Sequence, residues 1–407
     1  MLTLKDVHGA VAGSAAAFRC RRQLQPAGGP GDKVFPPTFA GAVYAIEQRR
    51  LPGRESPVTC VLLDSVQSQV NRMELALQEA VDAGTIKMPL VVVDFSGHDP
   101  TGDLAADKKA GRLLDAVGKV TSLQVPHRLA DAILRDSELD GVRFRLSVKG
   151  KALNRASPVN ATPLFELCPT ALLFGMWDST GPKGGLGSKF ERAMVSEIVG
   201  VGAEWNDDYR ARGVRRDPLE ISKNVLVVRS DDKSLRKVAE GSERGVKPSE
   251  LNHSSVPFDS PNSGVTVEYA EQLTTLSLIV LRRLRFPVNG ASTPEADVAA
   301  RTVLAALGLC AATLAFEAGM GLRSRCLLWP EGPMTWELLD RPGESPRTFA
   351  LSGAGTLELL AGAVERAKVA GLPWPEEPVE LKPSQALVDL VRLSQAKLAA
   401  EGPGETE

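Results

Sequence analysis

The chain has 407 residues, 43% of them hydrophobic, which is enough to bury a sizeable core in one large domain or in two. Aromatic residues make up only 5%, so base stacking is not expected to be the main way in which the surface holds a ligand. The formal net charge of −2, taken alone, argues against a nucleic-acid-binding protein.

The charge is unevenly distributed along the chain. Residues 1–60 hold eight Lys/Arg and four Asp/Glu, whereas residues 371–407 hold three Lys/Arg and seven Asp/Glu. A basic region beside an acidic tail is consistent with a local phosphate-binding groove on a neutral body. It is equally consistent with a chance distribution and an exposed acidic terminus.

The cysteines and apolar segments favour a reducing, cytoplasmic location. Five cysteines occur, an odd number without a CxxC pair, so neither a zinc ribbon nor a disulfide framework is expected. No targeting signal is recognisable at the N-terminus. The longest apolar segment, 296–318, contains Asp297, Arg301 and Glu317, which favours a buried helix over a membrane span.

Hydrophobic patterns predict alternating strands and helices. An arginine-rich strand is expected around residues 19–22, and the apolar runs 58–63 and 90–95 predict buried strands on either side of a helix ending near Gly84. The later elements predicted are strands at 170–176, 225–229 and 264–268, a helix from Ser188 with capping-box spacing to Glu191, a helix from Thr293 to about Gly319, a hairpin of 325–329 with 335–339, and helices near 355–370 and 384–399.

These elements predict an α+β or α/β sandwich, with which a ferredoxin-like core carrying long insertions is compatible. Residues 205–263 are charged and polar and are interpreted as an inserted lobe, whereas 401–407 are expected to be a disordered tail. Residues 1–400, with this lobe as an insertion, are expected to form a single domain.

Catalytic motifs fit poorly, and no metal or cofactor site is predicted. The loop after 170–176 has the order of a phosphate loop, but the sixth position counted from Gly181 is Leu186, where a Walker A motif needs glycine. The four histidines form no metal-binding pattern. Asp64 and Asp94 end apolar strands, where a carboxylate more often caps the next turn than performs catalysis.

Clusters of arginine and amide side chains suit contacts with phosphate and sugar. Arg19 and Arg21 share one face of their predicted strand, and Gln69 and Arg72 lie three residues apart on a helix. Further clusters contain Arg49, Arg50 and Arg54, and Arg210, Arg212, Arg215 and Arg216. For any single cluster a solvated face is at least an equal explanation.

Two longer segments resemble a known family. RLPGRESPVTCVLLDSVQSQVNRMELAL (50–77) and LLFGMWDSTGPKGGLGSKFERAMVSEIVGVG (172–202) are similar to signatures of the backbone subunit of the type I-G CRISPR Cascade complex, formerly type I-U, in the RAMP superfamily. The resemblance implies a hand-shaped protein with an RRM-like (ferredoxin-like) palm and large insertions forming fingers and a thumb. The 205–263 lobe would be the thumb or a subunit contact.

The resemblance also implies a function. Copies would line up along the crRNA and present it for pairing with target DNA, and DNA cutting would belong to a separate helicase-nuclease. Partners would be the crRNA, target DNA through the guide, other copies of the chain, the large subunit and the repeat-processing subunit, with no membrane. The protein is therefore expected not to be an enzyme, and to have no catalytic residues.

The RNA-binding residues expected from the matched segments are Gln67, Gln69, Asn71, Arg72, Lys183, Ser188, Lys189 and Arg192. Arg19, Arg21, Arg49, Arg50 and Arg54 form a second group. Two alternatives remain open at this stage. One is a RAMP-type endoribonuclease that cuts target RNA with Asp32 or Asp64, and the other is a cytosolic α/β enzyme that uses the Gly181–Gly187 loop on a phosphorylated small molecule.

Overall fold

Apolar strands and alanine-rich helices give the chain a mixed α+β fold, as its sequence predicts at this level. The computed structural model describes residues 2–40, 43–181, 189–204, 221, 224–230, 234–239, 244–251, 253 and 264–401. The sequence-predicted disordered tail and the four arginines between 210 and 216 lie outside the described residues, except for Glu401 at the end of a helix.

The helices and strands of the described part are as follows. The helices are α1 (Leu4–Ala12), α2 (Val66–Asp82), α3 (Leu104–Ala110), α4 (Ala132–Arg135), α5 (Val148–Asn154), α6 (Thr162–Leu167), α7 (Thr170–Phe174), α8 (Leu278–Arg282), α9 (Pro294–Glu317), α10 (Gly353–Val369) and α11 (Gln385–Glu401). The strands are β1 (Ala17–Pro26), β2 (Thr38–Phe39), β3 (Val43–Tyr44), β4 (Ile46–Arg49), β5 (Val58–Asp64), β6 (Val91–Asp94), β7 (Lys119–Thr121), β8 (Ser137–Leu139), β9 (Val142–Arg143), β10 (Met176–Trp177), β11 (Lys189–Phe190), β12 (Met194–Val201), β13 (Val227–Arg229), β14 (Leu235–Val238), β15 (Tyr269–Ser277), β16 (Gly321–Arg323), β17 (Cys326–Pro330), β18 (Thr335–Leu339), β19 (Arg347–Ala350) and β20 (Val379–Pro383).

A nine-stranded antiparallel sheet contains the longest strands. Its order is β16-β17-β1-β15-β12-β5-β4, and β18 joins β1 on the same side as β17 and carries β19 beyond it. Strand β1 therefore lies inside the sheet, paired with β15 over Ala17–Leu24 and with β18 and β17 at its two ends. This position makes β1 the strand on which both halves of the sheet are assembled.

The two faces of this sheet have different surroundings. Burial along β15 alternates residue by residue, so every second side chain points toward the core. Phe18 and its partner Leu276 are completely buried on the face against which α9 packs. The next residues along each strand, such as Arg19 and its partner Thr275, point to the opposite face of the sheet, which is here called the outer face.

Helix α9 is the central helix of this core. Thr293 caps it by accepting from the Ala296 amide at 3.2 Å, and Pro294 occupies its first turn, as the sequence predicts. It is long and apolar enough to cross a membrane, but 83% of its most apolar window is buried inside the protein. The prediction of a buried helix is therefore confirmed.

A second, five-stranded sheet has the order β7-β6-β20-β8-β9, in which only β20 and β6 run parallel. Its strand β6 is fully buried and confirms the strand predicted at 90–95. Asp94, at its end, accepts hydrogen bonds from Lys382 and from the Ser96 amide, which hold its pKa well below the ordinary value. The role as a turn cap that the sequence favours for Asp94 agrees with this geometry.

The chain divides into two compact units. The first comprises Met1–Gly97, Val117–Glu204 and Val265–Leu387, and contains both large sheets. The second comprises His98–Ala116, Trp205–Gly264 and Val388–Glu407, and contains α3, most of α11 and the β13–β14 ladder. The polar segment that the sequence singles out as an insertion, 205–263, thus falls in the second unit.

Several local predictions are wrong. Residues 170–174 form helix α7 rather than a strand, and the helix expected after Ser188 is replaced by strands β11 and β12. Strands β17 and β18 exist, but each pairs with β1 instead of with the other. The strand expected at 264–268 contains only isolated bridges at Val265 and Thr266, and β15 begins at Tyr269.

Close packing of α9 should make its central glycine intolerant of a large side chain. A Cβ added at Gly308 would lie 3.1 Å from Leu173 Cδ1 and 3.4 Å from Leu276 Cδ1. Gly308→Leu should therefore lower the free energy of unfolding by about 1–3 kcal/mol through overpacking, measured by urea denaturation. Gly9→Leu on α1 is the control, because nothing lies within 4 Å of its added Cβ. Equal stabilities of the two variants would contradict this packing.

Candidate nucleic-acid interface

Helix α2 presents an amide-bearing surface at its first two turns. Ser65 caps the helix by accepting from the Ser68 amide at 3.2 Å. Val70 and Met73 are buried against the core, which leaves Gln67 and Asn71 exposed on the opposite side. Their side chains lie four residues apart and are joined by a hydrogen bond of 3.0 Å from Gln67 Nε2 to Asn71 Oδ1.

The short hairpin β10–β11 lies beside this helix. Met176 pairs with Phe190 and Trp177 with Lys189, and the first pair is buried while the second is exposed. The Lys189 ammonium lies 4.6 Å from the centre of the Trp177 ring, a cation–π contact. The hairpin thus places one aromatic and one cationic side chain on the surface together.

Gly175 is needed where the chain enters this hairpin. Its φ of +82° is accessible to glycine but strained for other residues. An added Cβ would also lie 2.8 Å from Arg192 Cγ and 3.0 Å from the Phe190 carbonyl oxygen. The absence of a side chain therefore allows the β11 end of the hairpin to approach the end of α7.

Helix α2, the hairpin and the segment 123–128 enclose a cleft of about 1060 Å³. Arg192 Nη2 crosses it to donate to Gln67 Oε1 at 2.9 Å, which joins the two family-like segments. The polar or aromatic side chains that line the cleft and are exposed are Gln67, Asn71, Gln124, His127, Trp177, Ser179, Lys189, Glu191 and Arg192.

A buried ion pair fixes the three walls of the cleft. Arg128 donates to both carboxylate oxygens of Glu74, at 2.7 and 3.0 Å, and to the Gly175 carbonyl at 2.9 Å. Burial raises the pKa of the Glu74 carboxyl, and the Arg128 guanidinium acts in the opposite direction. Arg128 also has a φ of +50°, a conformation that a non-glycine residue keeps only where its surroundings hold it.

Positive charge is in excess in this cleft. Glu74 is neutralised by Arg128, and Glu191 pairs with Arg283 at 2.6 Å. Within the described ranges, Lys189 and Arg192 form no ion pair with a carboxylate, and their contacts are to the Trp177 ring and the Gln67 amide. Two cations beside exposed amides are suited to binding phosphate and sugar oxygens.

Gln69 and Arg72 belong to a polar network beneath the sheet instead. Asp64 is completely buried and accepts from Gln69 Nε2 at 2.6 Å and from Arg72 Nε at 2.9 Å, with Arg323 at 3.3 Å. Gln69 Oε1 in turn accepts from Ser196 at 2.9 Å. These side chains hold α2 against the sheet and against the carbonyls of β16, to which Arg72 also donates.

The second group of predicted arginines lies mainly on the outer face of the large sheet. Arg19 pairs with Glu337 at 2.7 Å, Arg21 with Glu271 at 3.3 Å, and Arg49 with Glu197 at 2.9 Å. Arg49 also contacts Glu47, and Arg54 contacts Glu268. Four arginines therefore face five carboxylates, and this surface is close to neutral rather than a track for phosphates.

The remaining predicted residues divide as follows. Arg50 is exposed at the end of β4 and does not line the cleft, and Lys183 and Ser188 lie outside the described residues. Five exposed cleft residues are absent from the sequence-based set: Gln124, His127, Trp177, Ser179 and Glu191. Trp177 is part of the family-like segment 172–202 and was recognisable there, but nothing in the local sequence marks Gln124 or His127.

A model of a known protein family matches part of the chain. Residues 18–205 match the family model described as CRISPR-associated protein GSU0053, which is just under half of the chain. The match begins in β1 and ends just after β12, so it contains every residue lining the cleft. This match supports the interpretation that the chain is a CRISPR-associated protein. No curated protein matches the chain.

The buried pair of Arg128 and Glu74 predicts a pH-dependent variant. Arg128→Met should cost roughly 3–5 kcal/mol of unfolding free energy at neutral pH, because Glu74 is left as a buried, uncompensated carboxylate. Burial then raises the folded-state pKa of Glu74 unopposed, so the stabilising protonated form is lost as pH rises through that pKa.

The deficit relative to wild type should accordingly shrink as pH falls toward about 4.3, the ordinary glutamate value. Urea denaturation across this pH range measures it. The double variant Arg128→Met/Glu74→Met is the control and should show no such pH dependence. A deficit of constant size at every pH would contradict the assignment of Glu74 as the group left unpaired.

Proposed function

We propose that the protein is the crRNA-binding backbone subunit of a type I Cascade effector, of the type I-G class, and that it acts as a scaffold rather than an enzyme. The observation that carries the proposal is the cleft in which both family-like segments meet around Lys189 and Arg192. The match to a CRISPR-associated family supports the setting in CRISPR defence, for which a cytoplasmic location is appropriate.

The chemistry of the cleft suits a guide of variable sequence. A protein that holds many different guides must contact phosphates and sugars, while the bases read the target by pairing. Lys189 and Arg192 provide charge for phosphates, and the amides of Gln67, Asn71 and Gln124 provide donors and acceptors for ribose hydroxyls. Target DNA would then be recognised through the guide.

The strand order supports an RRM-like palm. Along the chain, β1, α2, β12, β15, α9 and then β17 with β18 follow the β-α-β-β-α-β succession of ferredoxin-like proteins. In the sheet, β1 and β15 are central, with β12 on one side and β17 and β18 on the other. The hairpin β4–β5 extends this arrangement beyond β12, and the 205–263 segment would supply the thumb or a subunit contact.

The proposed partners follow from a chain that forms part of a larger ribonucleoprotein. They are the crRNA, further copies of the chain along it, the large subunit and the repeat-processing subunit. Charge pairing on the outer face would allow copies to approach without strong repulsion. The RNA-cutting alternative receives little support from Asp64, which is fully buried and accepts three hydrogen-bonded donors.

Removing the two cleft cations tests this function. Lys189→Ala/Arg192→Ala should lower the affinity for single-stranded RNA about 10- to 100-fold, because two charge-assisted contacts are lost. If each cation neutralises one phosphate, the slope of log K against log salt should become shallower by about 1.4. Fluorescence anisotropy of a labelled RNA at several salt concentrations measures both quantities.

The matched control is Arg19→Ala/Arg21→Ala, which removes the same charge from the outer face. This control should keep most of the affinity and the wild-type salt slope, and circular dichroism should show that both variants are folded. Equal losses in the two variants would assign binding to overall charge. Unchanged affinity in Lys189→Ala/Arg192→Ala would remove the cleft from consideration as the RNA site.

A further inference from the structure

Trp177 exposes an aromatic ring within the cleft, although the chain as a whole has few aromatic residues. The residue is 53% exposed, whereas Trp336 and Trp374 are buried in the core. A tryptophan buries a large apolar area when it is covered, and its flat ring gives contact at little cost in conformational entropy. An exposed position of this kind is therefore a candidate for binding a flat ligand.

The fold imposes this position on Trp177. Met176 and its partner Phe190 are buried, so alternation along the two-residue strand directs the next residue outward. Arg128 holds the Gly175 carbonyl from below, and the positive φ of Gly175 sets the direction of the strand. The indole is thus presented by a supported hairpin rather than by a free loop.

The neighbours of the ring favour a nucleotide over an apolar peptide. The ammonium of Lys189 lies 4.6 Å from the ring centre, and Arg192 is held nearby through Gln67. A nucleotide has a flat base for the indole and an anionic phosphate for these cations, and every base offers a π-face whatever its sequence. An apolar peptide would leave both cations without a matching charge.

We propose that Trp177 stacks against a base of single-stranded RNA in this cleft, with Lys189 next to the phosphate of the bound segment. The inference rests on the proposed function and adds a sequence-tolerant base contact to the phosphate contacts. It also revises the expectation drawn from composition, because a single well-placed ring is sufficient for stacking even where aromatic residues are scarce.

A cycle of protein and RNA changes tests the stacking. The probes are labelled oligouridylate and an abasic ribose-phosphate oligomer of the same length. Trp177→Ala should lower the affinity for oligouridylate about 5- to 150-fold, the usual effect of losing one stacked base, with no change in the salt slope. Its affinity for the abasic oligomer should equal that of wild type, and Trp177→Phe should retain most of the oligouridylate affinity.

Trp329→Ala is the matched control, because Trp329 is 70% exposed on β17 and does not line the cleft. It should bind both oligomers as wild type does. Two results would overturn the stacking: equal affinities of Trp177→Ala and Trp329→Ala for oligouridylate, or an equal loss by Trp177→Ala on both oligomers, which would indicate a positioning role. Failure of the wild-type chain to bind either oligomer would instead count against the proposed function itself.

Discussion

The cleft depends on the contacts made by the buried guanidinium of Arg128. It contacts Glu74 on α2, the Gly175 carbonyl at the start of β10 and, through its own backbone, the segment that forms the third wall. Since each of these elements belongs to a different stretch of sequence, the Arg128 side chain joins parts of the chain that are remote in sequence, and the hydrogen bond from Arg192 to Gln67 joins two of them again. The exposed groups are consequently held in place by a residue that is itself largely buried in the wall of the cleft.

Pairing of charges, rather than their number, separates the binding surface from the rest of the molecule. The outer face of the large sheet has more arginines than the cleft, but glutamates that lie close to them in the fold neutralise them. The cleft has only Lys189 and Arg192 free of carboxylate partners within the described residues, yet they lie beside amides and an indole. A protein of net charge −2 can in this way keep a local site for a polyanion.

Sequence predicted the parts of the fold that have strong local signals. The buried strands β5 and β6, helix α2 and the capped helix α9 were all recognisable, because hydrophobic runs and caps act within a few residues. Helix α7 was mistaken for a strand because all five of its residues are buried, which removes the periodic pattern. Strand β12 was mistaken for a helix because the spacing of Ser188 and Glu191 outweighed its β-branched residues. The role of Arg19 depends on Glu337, 318 residues away, and no local pattern contains that information.

The most direct test of the account is to purify the full-length chain after coexpression with its neighbouring subunits and a CRISPR array, measure the absorbance ratio at 260 and 280 nm, and sequence any bound nucleic acid. The account predicts a large particle that contains several copies of the chain and discrete RNA derived from the array. A small species free of nucleic acid would contradict it and would return attention to an enzyme acting on a phosphorylated small molecule.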